Sequence, residues 1–128
     1  MNTIAKNKFY EIAVDQSKNR IYFKIIGFWQ SPDVVPNYLN DIKKASKEVT
    51  PGYTILSDLK EMKTPPQEVG ELHKYAQTVL VTAGLRKTAE IVESAVLGMA
   101  LSNYAKASNM NKKPFSSLVE AENWLNQI

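Results

Sequence analysis

Residues 53–72 read YTILSDLKEMKTPPQEVGEL, and the change of rhythm inside this stretch decides the architecture. Tyr53 to Leu59 is a short, largely apolar strand, and its connection through a helix from the preceding strand makes that pair parallel. Thr64-Pro65-Pro66-Gln67 then reads as a helix start. Thr64 can accept from the backbone at Gln67, the Gln67 side chain can return the bond, and Pro65 fits the first helical position, where no donor is needed. Val69, Leu72, Ala76, Val79, Leu80 and Ala83 follow at helical spacing, and Gly84 is placed to end the helix. A strand followed at once by an amphipathic helix is one βα unit.

The same unit recurs on either side. Toward the N-terminus, Ser31 to Val49 places Val35, Tyr38, Leu39, Ile42, Ala45 and Val49 at helical spacing, with Asp33 as N-cap, Pro36 in the first turn and Pro51-Gly52 as the stop. Before it, Phe9 to Asp15 and Arg20 to Trp29 flank the turn-forming residues Gln16 to Asn19, which predicts an antiparallel hairpin. In the second of these strands Ile21, Phe23 and Ile25 share one face and Tyr22, Ile26 and Phe28 the other, so this strand is expected inside the sheet. Toward the C-terminus, Lys87 to Glu93 reads as a fourth strand and Ala95 to Ala107 as a third helix. Asn109 to Lys113 is loop-like, and Pro114-Phe115 leaves room for a very short fifth strand. Ser117 and Glu120 form a second capping box ahead of a last helix that carries Ala121, Trp124, Leu125 and Ile128. The predicted order is ββαβαβαβα: an α/β domain with a five-stranded, mostly parallel sheet, an antiparallel N-terminal strand and four helices. Sheets of this kind commonly place sites at the carboxyl ends of their strands, here Trp29 to Asp33, Leu59 to Thr64, and Glu93-Ser94.

Composition agrees with one domain over residues 1–128. The chain has 44% apolar residues, a formal charge of +3 and no cysteine. That is enough apolar material for a core without disulfide or metal staples, and it excludes thiolate metal sites and cysteine nucleophiles. No apolar stretch approaches the ~20 residues that cross a bilayer, so a cytoplasmic protein without a transmembrane segment is expected. The lysines are interspersed with acids in no run longer than two, which reads as a solvated surface and not a nucleic-acid footprint. The glycines at 27, 52, 70, 84 and 98 are isolated, so neither a dinucleotide fingerprint nor a Walker-type loop can be written.

The order of elements, together with YTILSDLKEMKTPPQEVGEL and the final PFSSLVEAENWL, resembles the SpoIIAA-like or STAS family, which includes anti-sigma-factor antagonists and the cytoplasmic domains of sulphate transporters. The resemblance implies a superhelix of βα turns, shared with lipid-exchange domains of the CRAL-TRIO type, and a non-catalytic module that binds a partner or a ligand. In the antagonist branch a phosphorylatable serine opens the helix after the third core strand. Here Asp58-Leu59 matches the strand end, but the helix start reads Lys63-Thr64-Pro65-Pro66, so the resemblance points to Thr64 as the nearest hydroxyl. A phosphate there would suit a helix N-terminus; the plainer reading makes Thr64 a cap.

Candidate chemistry is sparse. His73 is the single histidine and reads as a solvent-facing helix residue. Asp58, Glu61 and Glu68 cluster in sequence, and an acid–base site would require Asp58, Glu61 and His73 to converge. No catalytic set, metal site or cofactor is expected. The predicted helix over 95–107 has more apolar circumference than one core contact needs, in Val96, Leu97, Met99, Ala100, Leu101 and Tyr104. This predicts a regulatory or protein-interaction module with an unnamed protein partner, self-associating as a homodimer through Val79, Val96, Met99 and Tyr104. The alternative is a binding module for a small apolar or lipid-like ligand, with Trp29, Asp58 and Thr64 at a sheet-edge pocket.

Overall fold

The computed structural model describes residues 1–93 and 111–127. Its centre is the predicted hairpin. β2 (Tyr10–Asp15) and β3 (Arg20–Ile25) pair antiparallel in an unbroken register from Tyr10↔Ile25 to Asp15↔Arg20. The turn holds because the Asp15 carboxylate accepts from the Ser17 hydroxyl at 2.6 Å and from the Ser17 amide at 3.0 Å. The Ser17 hydrogen bond, with smaller help from Lys18, lowers the Asp15 pKa. Asn19 takes the left-handed conformation at φ 52°, and its side chain exchanges two hydrogen bonds with the Thr50 backbone, tying the hairpin to the loop before the next strand.

From β3 the chain passes through a 3-10 turn (Pro32–Val34) and α1 (Tyr38–Lys47) to β4 (Thr54–Asp58), then through α2 (Gln67–Thr82) to β5 (Lys87–Ile91). β6 (Lys112–Phe115) and α3 (Leu118–Asn126) complete the described residues. β3, β4, β5 and β6 run parallel. The sheet is thus mixed, and its spatial order, β1 to β6, equals the chain order. Gly84, just past α2, has φ 102° and lies so close to the preceding loop that a Cβ would stand 2.8 Å from Pro51 Cα. Only glycine meets both demands.

Among the described residues six strands are present where five were expected. The additional one is β1 (Asn2–Lys6), which pairs antiparallel with β2 through a register shift between Thr3 and Ala5. It is an edge strand with only Ile4 and Ala5 half-buried, so its sequence lacks the alternation that marks a strand. Of the four predicted helices, three are found, and the one over 95–107 lies outside the described residues. α1 starts later than expected. Asp33 sits in the 3-10 turn and Asn37 precedes the helix, because Val35 stands before Pro36 and is held at φ −127°, ψ 60°, away from helix. α2 likewise starts at Gln67 with Pro66 as its N-cap, so Thr64 caps nothing and is exposed. The predicted capping box of α3 is half-formed, with Ser117 accepting from the Glu120 amide. β6 begins at Lys112, two residues before Pro114.

The helices cover the two sheet faces unequally. α1 and α2 close the front face over Tyr10, Ile12, Ile21, Phe23, Ile25 and Ile55. At the centre of this core Trp29 and Tyr38 meet edge to face at 5.0 Å, and Trp29 and His73 lie 5.0 Å apart. His73 is therefore not solvent-facing: it is 3% exposed. The buried positions of α2 are Val69, Gly70, His73, Ala76 and Leu80, and His73 falls in line with the spacing 69, 73, 76, 80. Burial lowers its pKa to about 4 and keeps the ring neutral. Two buried polar pairs are built into the same face: the Tyr10 hydroxyl donates to Asp41 at 2.7 Å, and the Tyr53 hydroxyl to the Leu80 carbonyl at 2.6 Å. Burial first, then Asp41, pushes Tyr10 up to about 12. α3 lies on the back face over Leu56, Ala89 and Ile91.

Candidate functional site

Beside α3 the back face carries two cross-strand rows. One row is apolar: Ala13 on β2 stands opposite Tyr22 on β3, and Tyr22 opposite Leu56 on β4. The next is charged: Glu11, Lys24 and Asp58 stand opposite one another in turn and end at Ile91 on β5. Above these rows is a groove of about 390 Å³, edged by β1 through Ala5 and Lys6, by the N-terminus through Met1, and by Leu118 at the start of α3. Met1 and Leu118 are 78% and 55% exposed, so two large apolar side chains stand at the rim without cover among the described residues.

α3 edges the groove through Leu118, and polar contacts fix where the helix sits. Arg20, 3% exposed, donates from Nε to the Thr54 hydroxyl at 2.9 Å, from Nη2 to Asn126 at 3.0 Å, and from Nη1 to Glu122. The other Glu122 oxygen accepts from the Tyr22 hydroxyl at 2.6 Å. Burial, then that hydrogen bond, raises the Tyr22 pKa. At the same carbonyl end of α3, Arg86 donates to the carbonyls of Leu125 and Gln127, and the Lys87 ammonium donates to Trp124 and Gln127 while lying 4.4 Å from the Trp124 ring centre. Two cations from the neighbouring strand region thus cap the carbonyl end of the helix. Desolvation, with Arg86 and Arg20 nearby, lowers the Lys87 pKa.

The charges in the groove are mostly neutralised locally. Lys24 pairs with Glu61 at 2.7 Å, which raises the lysine pKa and lowers that of the carboxyl, and Lys6 pairs loosely with Glu11 at 3.9 Å. Asp58 accepts from the Lys60 amide at 3.1 Å. The result is an amphipathic groove with an apolar floor and a charge-balanced edge, within the size range of small-molecule sites.

Of the expected pocket residues, only Asp58 lines this groove. Trp29 belongs to the front core, 2% exposed, with its indole N–H donating to the Phe9 carbonyl, and Thr64 is exposed in the loop before α2. The acid–base trio does not assemble: Asp58 faces the back, Glu61 is exposed on Lys24, and His73 is buried under α2 on the front. Among the expected interface residues, Val79 is half-buried against the front core, and Val96, Met99 and Tyr104 lie outside the described residues. Glu68 lies in the first turn of α2 and is exposed. Among the described residues no three histidine, aspartate or glutamate side chains gather in a way that could hold a metal ion, and no helix is long and apolar enough to cross a membrane. The groove residues that sequence reasoning missed are those of β1 and α3. The available signal was the second apolar face of β3, beginning at Tyr22.

No protein-family model matches this chain, and no curated protein matches it. It is similar in structure to an uncharacterized protein of the DUF3478 family from Shewanella loihica PV-4, whose crystal structure has a SpoIIAA-like fold. The two share 16% identity over 94% of this chain and 97% of the other, with a TM-score of 0.67. The fold of this chain is SpoIIAA-like.

Proposed function

We propose that the protein is a non-catalytic binding module whose back-face groove takes a small amphipathic molecule, with a regulatory role exerted through occupancy of that groove. The observation that carries this reading is the groove itself: about 390 Å³ over Ala13, Tyr22 and Leu56, flanked by a charged row and rimmed by exposed Met1 and Leu118. An apolar body on the floor with a polar end against Lys24, Asp58 or Lys60 uses both rows at once. Self-association through α2 and the predicted helix over 95–107 draws no support from Val79, which is half-buried against the front core.

The test is a fluorescence titration with an anilinonaphthalene sulfonate dye, beside native mass spectrometry of the purified protein. Saturable binding at one site is expected, and Ala13→Trp, which fills the floor, should weaken it at least about tenfold, or about 1.4 kcal/mol. Absence of binding, or binding indifferent to Ala13→Trp, removes the reading. A clean dimer with no dye site would favour a protein interface in its place.

A further inference from the structure

Beneath α2, on the opposite side of the sheet from the groove, lies a small cavity of about 40 Å³. Its walls include Tyr38, Ser57, His73, Thr88 and Glu90. Two polar atoms of those residues, His73 Nε2 and Thr88 Oγ1, are fully buried and have no hydrogen-bond partner among the described residues. Such atoms are uncommon, because leaving a buried donor or acceptor unsatisfied costs about 1–3 kcal/mol. His73 and Thr88 come from different elements, α2 and β5, and border one space.

We infer that this cavity is a buried hydration site, in which ordered water bonds to His73 Nε2 and Thr88 Oγ1. Size and chemistry both select water. A site needs roughly 10–15 Å³ of free space and two or more polar partners to hold one water molecule. The cavity has room for one or two, and not for a metabolite. The ring orientation defines the donors. The Tyr38 hydroxyl, itself buried, lies 3.2 Å from His73 Nδ1. The tautomer that gives the Tyr38 proton an acceptor leaves Nδ1 bare and the hydrogen on Nε2, pointing a donor at the water. Thr88, a hydroxyl able to give or take, completes the chain. The water is thereby a structural ligand that links α2 to the parallel strands below it.

A high-resolution crystal structure, read with long-range proton–nitrogen spectra of the imidazole, tests this. Expected are a water peak within hydrogen-bond distance of both atoms, a hydrogen on Nε2, and a cross-relaxation signal between that hydrogen and long-lived water. In Thr88→Val, which keeps the shape, that peak should be lost or displaced, whereas Thr88→Ser should retain it. A dry cavity in the parent protein, a protein group bonded to Nε2, or a peak indifferent to Thr88→Val overturns the inference. If Thr88→Val does not fold, the parent density and spectra decide alone.

Discussion

The two faces of the sheet are held by different physics. On the front, α1 and α2 close a cluster of eighteen buried apolar residues; on the back, the corresponding cluster among the described residues has five, and α3 is positioned by the Arg20, Tyr22, Arg86 and Lys87 contacts. Apolar packing is strong but tolerant of small shifts, whereas charged hydrogen bonds demand a particular geometry. Among the described residues the larger apolar cluster lies on the front and the groove on the back. Among the described residues α3, held along its second half by Arg20, Tyr22, Arg86 and Lys87, covers β4 and β5, and the groove lies beside it over β2 and β3.

This division can be broken from the front first. Trp29→Ala removes the ring at the centre of the aromatic cluster and should cost about 3–5 kcal/mol, read as a fall in the urea midpoint. Next comes pH. His73 has its folded pKa lowered from 6.5 to about 4, so its neutral, buried form stabilises the protein fully above pH 6.5. That contribution is lost as pH falls through about 4, because the unfolded chain takes up the proton first. The loss across this window should reach about 3 kcal/mol and should be absent from His73→Gln, measured by urea titrations along the window. On the back, Arg20→Ala strips α3 of its clamp and should cost about 2 kcal/mol, with amide exchange rising in α3 ahead of α1 and α2. An equal rise in all three helices would show that the faces are not independent. Ser117→Ala removes the N-cap of α3 and should cost about 1 kcal/mol in thermal unfolding.

The front face was legible in the sequence because its devices are local. The hairpin, the stripe of α2 and its Gly84 stop, and the apolar run of β4 all lie within a few residues of the signals that announce them. The SpoIIAA-like fold could be read from that order. His73 was misplaced because a polar residue on a helix looks solvated until its spacing with Val69, Ala76 and Leu80 is weighed above its chemistry. The α1 and α2 starts were misplaced because proline restricts the residue before it as well as fitting a first turn. The back-face site was much less legible. β1 has little apolar alternation, and the cations that cap α3 stand about forty residues earlier, so nothing beside the helix announces them. A groove assembled from an edge strand and the flank of a distant helix has no linear signature.

A sheet whose spatial order repeats its chain order need never hold a gap open for a strand still to come. Each strand finds its neighbour in the one made just before it, so pairing can advance as the chain is synthesised, at a low loop-closure cost. The clamp is the exception: Arg20 waits for Glu122 across 102 positions. Until that last helix docks, the groove lacks the edge that Leu118 supplies, so the binding surface is among the last parts of the molecule to be completed.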